Sequence, residues 1–477
     1  MVYKDRDLDT ICATATPTGV GGISVIRVSG SKAVSLVRTL CPFIPESPES
    51  HRAYFGLLKF PETTDPIDEV VATFFVRGRS FTGEDTFEIS CHGSPIVVRE
   101  ILSQLTLIGA RAADRGEFTY RAFMSGRIDL VQAESVLSLI ESQSANSARQ
   151  AIHQLNGSVS KELLEIEDRM IWCLAHMEAS IDFSVEDIEV VANGLLIEKI
   201  QDLTKRLKTL VDSFSKGRIL KEGFRLTLAG VPNVGKSSLL NLLVEEDRAI
   251  VTDIPGTTRD VIEASFLMEG LKVNVIDTAG LRESLDEIER LGIERSYQAQ
   301  RSADGVFFVF DSSRGLSLDE IQKISLIPIE QVFIIGNKAD QGPLTGSERV
   351  AAALGAIGAS GFFQNLQGFL PKLREKIRIV SALNEKDGRV LKDLLKQHLG
   401  DIQFEDQAVI SQVRHFENLS LSLGNMMRAH DLVVRQASPE FMSLEMKEAL
   451  LRIQETLGKR FDDQIMDRVF SEFCIGK

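Results

Sequence analysis

The octapeptide Gly230-Val-Pro-Asn-Val-Gly235-Lys236-Ser237 fits the pattern G-x-x-x-x-G-K-[ST]. Its glycines let the chain curl so that backbone N–H groups turn onto phosphate oxygens. An apolar run, Arg225–Ala229, precedes it and a helical run, Ser237–Val244, follows. The helix start adds positive potential where an anion would sit. In that setting Lys236 is expected to reach the β- and γ-phosphates, and the Ser237 hydroxyl to ligate Mg²⁺.

Three further pieces follow in a fixed order. Asp277-Thr278-Ala279-Gly280 closes a hydrophobic run; Asp277 can reach the Mg²⁺ shell and the Gly280 N–H a γ-phosphate. Asn337-Lys338-Ala339-Asp340 closes another. A carboxylate there accepts from guanine N1–H and the exocyclic amine, which adenine cannot offer. Ser381-Ala382-Leu383, after the last apolar run, resembles a loop that contacts guanine O6. Between the first two motifs, Gly256-Thr257-Thr258-Arg259-Asp260 stands where a first switch belongs, with Thr258 as the second Mg²⁺ ligand. These pieces together predict a GTPase. One residue departs from the usual pattern. The position after Gly280 is Leu281, which cannot orient water as a glutamine does. An arginine finger or a monovalent cation is needed instead. Asn233 could offer its carbonyl oxygen to K⁺, or serve only as a turn residue. Glu283, Asp286, Glu287 and Glu289 follow the second switch, and spacing does not choose among them.

The elements that must position these groups are legible as runs. Arg225–Ala229, Lys272–Ile276, Val306–Phe310, Val332–Ile335 and Ile377–Val380 read as strands of a β/α module over about 222–400. Helical spacing flanks it on both sides, in 130–215 and 413–473, with Leu444, Ala449, Leu450, Ile453 and Leu457 expected on one stripe. The module therefore reads as a guest inserted in a helical host, hung on linkers near 215–222 and 400–412. Gly342–Gly361, rich in Gly, Ala and Ser, is expected to be an inserted mobile loop, which leaves the position of Ser381 open. Residues 1–122 read as a small α+β domain, with strands at Ile23–Val28, Val70–Val76 and Thr86–Ser90 and a helix at Pro95–Leu107.

The chain has 477 residues, 54 Lys plus Arg against 68 Asp plus Glu, and a net charge of −14. Such acidity argues against a general nucleic-acid coat or an electrostatic membrane binder. Cys12, Cys41, Cys91 and Cys173 read as lone buried thiols, and no C-x-x-C pair suggests zinc or dithiol chemistry. No leader or membrane span is seen, so a cytoplasmic protein is expected.

Across its length the sequence resembles the MnmE (TrmE) family of bacterial tRNA uridine-modification GTPases. The carrying segments are Ala13-Thr14-Ala15-Thr16-Pro17, Phe81-Thr82-Gly83-Glu84-Asp85, Gly116-Glu117-Phe118 and Gln132-Ala133-Glu134, then the nucleotide motifs, then Phe473-Cys474-Ile475-Gly476-Lys477. The resemblance implies a multidomain α/β and α fold. An N-terminal α+β domain (1–122) would bind tetrahydrofolate and dimerise. A helical domain would come in two parts (123–221 and 401–477), with a Ras-like P-loop GTPase α/β domain (222–400) inserted. It implies a homodimer that works with the flavoprotein MnmG (GidA). Together they would install an aminomethyl or carboxymethylaminomethyl group on C5 of the wobble uridine of tRNA. A methylene-tetrahydrofolate supplies the carbon, and FAD and NADH act through the partner.

Carried over by residue, the resemblance implies GTP contacts at Asn233, Val234, Gly235, Lys236, Ser237 and Ser238. It adds Thr252, Asp253, Ile254, Pro255, Gly256, Thr257 and Thr258, then Asp277, Thr278, Ala279 and Gly280. Asn337, Lys338 and Asp340 follow, with Ser381, Ala382 and Leu383. K⁺ would sit on Asn233, Thr252, Ile254 and Thr257, and Mg²⁺ on Ser237 and Thr258. Glu289 would orient water, with Lys236 and Cys474 also catalytic. Arg27, Glu88, Arg127 and Lys477 would line the folate site. Arg127 stands where Lys is familiar, and Pro255 where Ala is common. A ribosome-assembly GTPase would share the nucleotide motifs but predicts a basic RNA-binding appendage. A folate-dependent methyltransferase with a regulatory G module predicts modification without the flavoprotein.

Overall fold

The computed structural model describes residues 9–63, 65–182, 193–244, 264–277, 303–342, 344–360, 370–400, 407–435 and 437–477. The chain forms two compact units. One comprises 1–140, 152–212 and 413–477, the other 141–151 and 213–412.

The first unit opens with a six-stranded sheet. Its strands are β1 (Ile11–Thr14), β2 (Ile23–Ser29), β3 (Arg52–Lys59), β4 (Pro66–Phe75), β5 (Thr86–His92) and β6 (Arg111–Ala112), ordered β3-β4-β5-β2-β1-β6. All neighbours are antiparallel except β1 and β6. Ile26, Val28, Ala72, Phe74, Phe87 and Ile89 turn to one face, where helices α1 (Ala33–Leu40) and α2 (Pro95–Leu107) close the core. The period of two then sends Arg27 and Glu88, register partners on β2 and β5, to the opposite face. Strands β1, β3 and β6 were not expected from sequence. β3 is an exposed edge, and the other two are only four and two residues long.

Residues that carry the family resemblance meet here in one ion network. Arg121, 5% exposed, binds Asp9 at 2.8 Å, Glu117 at 3.0 Å and Glu84 at 3.2 Å. Arg111 binds Glu117 at 2.5 Å and Asp9 at 2.6 Å. The network fastens helix α3 (Glu117–Met124) to the sheet. Alternate charges share the buried space, so each guanidinium is compensated.

A helical bundle completes this unit: α4 (Leu130–Ile140), α6 (Ser158–Asp182), α7 (Asn193–Asp212), α14 (Val413–Val434) and α15 (Pro439–Leu457). Helix α5 is Ala145–Leu155. Ala449, Ile453 and Leu457 face the core together with Met442 and Met446, but Leu444 is 57% exposed. The expected stripe fails at Leu444, two positions from each buried methionine, and Leu450 is half-buried. The flexible methionines, less emphatic as a pattern, are the buried positions there. A buried ion triad joins two of these helices. Arg414 donates to both carboxylate oxygens of Glu134 at 2.9 Å, and His415 Nε2 lies 2.6 Å from Glu134 Oε2.

Helix α16 (Asp463–Ser471) leads into a tail that is docked rather than frayed. Phe470 and Phe473 pack with Tyr120 and Leu130. Ile475 bridges Arg115, and the Phe118 N–H donates to Lys477 O at 3.2 Å. Gly476 has φ 92°, and a Cβ there would lie 1.9 Å from Thr14 O, so only glycine lets the tail lie this close to β1.

The second unit is built on a sheet of β7 (Phe224–Ala229), β8 (Ala264–Met268), β9 (Leu271–Asp277), β10 (Gly305–Asp311), β11 (Val332–Asn337) and β12 (Ile377–Ile379). Their order is β12-β11-β10-β7-β9-β8, parallel except for the edge strand β8. Five of these strands fall on the expected runs. Buried parallel strands read as continuous apolar stretches, and β10 is buried along nearly all its length. The edge strand, partly exposed, had escaped notice.

One expectation about this unit is corrected. Gly346–Ala359 is a helix, α11, not a mobile loop. Thr345 and Glu348 form a capping box at its start, and Ala353 and Ile357 are buried beneath it. The alanine content that suggested a loop is good helix composition once a cap nucleates it. At the expected linkers, residues 213–222 and the described residues 407–412 pack together. Residues Phe214–Glu222 form helix α8 against β7 and β9. The Ile410 N–H donates to Ser213 Oγ at 3.2 Å, Lys221 Nζ to Gln412 Oε1 at 2.8 Å, and Gln150 Nε2 to Val409 O at 2.9 Å. A Cβ on Gly217 would lie 2.1 Å from Ile410 O.

Candidate functional site

Strand β7 has β9 on one side and β10 on the other, so the chain reverses its winding there. Ligands of open α/β sheets sit at the carboxyl ends of strands at such a point. Four of the sequence-predicted motifs stand at that edge: 230–237 after β7, Asp277 ending β9, Asn337 ending β11, and Ser381 just beyond β12.

The first loop is shaped by three positive φ angles, Gly230 at 139°, Asn233 at 64° and Gly235 at 93°. A Cβ on Gly230 would lie 2.1 Å from Val309 O, and one on Gly235 2.2 Å from Asn337 Nδ2. Asn233 is exposed in the left-handed region, which asparagine tolerates better than most residues. Helix α9 (Lys236–Val244) starts directly from the loop. Lys236 is 7% exposed and its ammonium donates to Gly230 O at 3.0 Å and Val231 O at 3.1 Å, so it spans the loop's own carbonyls. Ser237 and Ser238 are exposed in the first turn, and Val234 is buried below.

The base end of the cradle is tied to the phosphate end by one side chain. Asn337, 2% exposed, donates Nδ2 to Val234 O at 2.8 Å and accepts at Oδ1 from the Ala382 N–H at 3.0 Å. The Ser381 hydroxyl donates to Asp340 Oδ1 at 2.6 Å, which sets the last loop beside the Asn337–Asp340 turn. The intervening helix therefore leaves Ser381 where the sequence put it. Leu383 is 85% exposed. Lys338, at φ 62°, donates to Asp311 Oδ2 at 2.8 Å. Burial would raise the Asp311 carboxyl, but hydrogen bonds from Lys338 and Ser313 win and hold it at about 2. Sequence reasoning had missed Asp311. It had also missed Asp387, whose carboxylate accepts from the Ser381 N–H at 2.6 Å. Neither carries a motif signal.

Thr252, Asp253, Ile254, Pro255, Gly256, Thr257, Thr258, Thr278, Ala279, Gly280 and Glu289 lie outside the described residues. Of the expected K⁺ set only Asn233 is described, and of the Mg²⁺ pair only Ser237. An exposed amide on a positive-φ turn and a hydroxyl at a helix start both fit oxygen ligation of hard cations. Among the described residues no cluster of three or more His, Cys, Asp or Glu could hold a metal.

The second candidate site is on the outer face of the N-terminal sheet. Arg27 donates Nε and Nη2 to Glu88 Oε1 at 3.1 and 2.7 Å and Nη1 to Gly476 O at 3.3 Å. Phe81 and Phe118 flank its guanidinium, with ring centroids at 5.2 and 5.5 Å. Burial and the nearby Arg27 charge lower the Lys477 ammonium, and Glu88 opposes them. Arg27, Glu88 and Lys477 are thus gathered. Arg127 is exposed beyond α3, and among the described residues no hydrogen bond or ion pair joins its side chain to that group. Cys474 is exposed, while Cys12, Cys41, Cys91 and Cys173 are buried, as expected for lone thiols. Burial pushes Cys41 up to about 12 and the other three to about 11.

Residues 10–127 match the family model for the GTP-binding protein TrmE N-terminus, and 130–474 that for the MnmE helical domain. The chain is 54% identical to the tRNA modification GTPase MnmE of Bdellovibrio bacteriovorus, over 100% of this chain and 99% of that protein. The chain belongs to the MnmE family. It is 36% identical to the tRNA modification GTPase MnmE of Natranaerobius thermophilus, over 98% of this chain and 99% of the relative. A solved structure of an Era variant from Aquifex aeolicus bound to GDP.AlF4- covers 43% of this chain and 66% of its own, at 24% identity and a TM-score of 0.26. As a member of the MnmE family this chain is a GTPase, with N-terminal and helical regions matched on either side of and around the nucleotide unit. No described helix is long and apolar enough to cross a membrane.

Proposed function

We propose that this GTPase acts in tRNA modification. As a homodimer in the cytoplasm, with the flavoprotein MnmG, it installs an aminomethyl or carboxymethylaminomethyl group at C5 of the wobble uridine. The observation that carries the reading is the full-length likeness to proteins named tRNA modification GTPases, joined to a nucleotide cradle whose base end is organised by Asn337 and Asp340. The division of labour follows 1–122 for folate, 123–221 with 401–477 as helical host, and 222–400 for GTP.

In the G module, Lys236 and the N–H groups of the loop bind phosphate, and Asp340 takes the guanine edge. Ser237 and Thr258 hold Mg²⁺, while Asn233, Thr252, Ile254 and Thr257 hold K⁺. These cations supply charge neutralisation at the phosphates. Glu289 orients the attacking water, a role Leu281 cannot fill. On the N-terminal sheet, Arg27 and Lys477 offer cationic groups to the carboxylates of a tetrahydrofolate, and Glu88 accepts from pterin N–H donors. The folate supplies the transferred carbon, and FAD and NADH on the partner supply the redox chemistry. Cys474, exposed on the tail whose Gly476 accepts from Arg27, takes part in the modification step.

The test is nucleoside analysis of wobble uridines in cells lacking this protein. Loss of the C5 modification, restored by the intact gene, is expected. An unchanged nucleoside profile would remove tRNA modification from the reading.

A further inference from the structure

Arg349 stands on the first turn of α11 and is 3% exposed. All five of its guanidinium N–H groups find acceptors. Nε donates to Leu344 O at 3.1 Å. Nη1 donates to Ser312 Oγ at 2.6 Å and to Lys338 O at 3.1 Å. Nη2 donates to Gln341 O and, at 3.3 Å, to Gly342 O. Ser312 passes the contact on, since its hydroxyl donates to Asn337 O at 2.7 Å.

Arginine keeps its proton in proteins, so this is a permanent buried cation. Among the described residues no carboxylate pairs with it, and carbonyl dipoles take the place of a counter-ion. Burying a charge this way is costly unless every donor is satisfied. Here every donor is satisfied, and the acceptors are not scattered. Apart from Leu344 O, they belong directly or through Ser312 to residues 337, 338, 341 and 342, which bracket Asp340 on both sides. The turn they form passes through Lys338 at φ 62°, a conformation lysine rarely holds without support. Asp340 itself is exposed, and among the described residues only the Ser381 hydroxyl donates to its carboxylate.

We propose that Arg349 is a positioning residue for base selection: it grips the turn that carries Asp340 from behind and sets the carboxylate's angle toward the guanine edge. The inference rests on the reading that Asp340 takes guanine N1–H and the exocyclic amine. Two parallel hydrogen bonds demand an aligned carboxylate, whereas one tolerates tilt. Inosine nucleotides lack the exocyclic amine. A misaligned Asp340 therefore loses more with GDP than with IDP.

The experiment titrates GDP and IDP into the full-length protein by calorimetry. In Arg349→Ala, GDP affinity is expected to fall about tenfold and IDP affinity about threefold or less, as for loss of one charge-assisted hydrogen bond. Arg349→Lys keeps the charge but has three donors for five acceptors, and an intermediate GDP-to-IDP ratio is expected. A merely structural arginine would lower the active fraction without changing that ratio. Should Arg349→Ala not fold, Arg349→Lys and Ser312→Ala decide. Ser312→Ala cuts the link to Asn337 O, and a ratio lowered about twofold is expected. An unchanged ratio in the folded variants overturns the proposal. Asp340→Asn separates the two premises. If it leaves the ratio unchanged, the guanine reading of Asp340 is what has failed. If it abolishes the preference while the Arg349 variants do not, the error lies with Arg349.

Discussion

Asn337 shows how one residue serves both ends of a site. Its amide holds Val234 in the first loop and the Ala382 N–H in the last loop, so the two loops share one hub. Asn233, by contrast, is exposed on a positive-φ turn, and the proposal that it ligates K⁺ is tested by turnover. Turnover of GTP by the wild type is expected to be faster in KCl than in NaCl of equal ionic strength. Asn233→Ala should lose about tenfold or more of the K⁺-stimulated rate, on the order of one ligand's contribution. Equal rates in the two salts would end the K⁺ assignment. At the proposed folate site, Glu88 is the one side chain among the described residues that accepts from Arg27's Nε and Nη2. Glu88→Ala should weaken 5-formyltetrahydrofolate binding about tenfold in calorimetry, since a charged acceptor and the order of Arg27 vanish together. Wild-type affinity in that variant would reject the site. The motifs themselves were legible because their chemistry constrains residue type and spacing. Arg349, Asp311 and Asp387 were not, because a side chain that serves backbone carbonyls or N–H groups leaves no pattern in sequence.

At the scale of elements, legibility followed burial. Strands β7, β9, β10, β11 and β12 carry enough apolar residues to be read directly, β10 and β11 almost without interruption, whereas β3 and β8 mix exposed and buried positions at sheet edges. Helix α11 was lost to composition, although Thr345-x-x-Glu348 was there as a cap signal. The helical bundle was read from its periodicity, but not the ion triad inside it. Glu134 on α4 joins Arg414 and His415 on α14. Burial would raise the Glu134 carboxyl, yet those two neighbours pull it well below its ordinary 4.5. A carboxylate depressed by folding adds stability that is fully present above its unfolded value and is lost as pH falls toward the folded one. Glu134→Gln should therefore destabilise the protein at pH 7 by about 3 kcal/mol, leaving Arg414 without its charge partner. The gap between variant and wild type should narrow steadily below about pH 4.5. Denaturant melts at pH 7 and pH 4 measure both; a gap independent of pH would mean that the triad does not carry the acid sensitivity.

For the whole molecule, the question is how GTP turnover in one unit serves chemistry on another. The linkers are stitched to each other and to Gln150 within the nucleotide unit, through Ser213, Lys221, Val409, Ile410 and Gln412. A module that swings must then carry this seam with it and bend at the unit boundaries, beside Ser213 and Gln412. Residues 474–477, held at Gly116, Phe118 and Arg27, tie the helical region to the Arg27 face of the N-terminal sheet in the same unit. GTP turnover would on this account gate the modification instead of supplying its bond chemistry. Leu281 still leaves hydrolysis without a water-orienting glutamine. A second copy of the chain, ordering the first switch around K⁺, would supply the missing stabilisation without an external activator. We therefore expect the two nucleotide units of a dimer to approach each other only in the transition-state-like complex. Spin labels on an exposed position of α13 (Glu385–Leu399), such as Lys386, give the distance between them. It should shorten with GDP, aluminium fluoride and K⁺, and stay long when Na⁺ replaces K⁺. The same distribution in both salts would show that the cation acts, if at all, within a single nucleotide unit, and the gating account would lose its mechanical step.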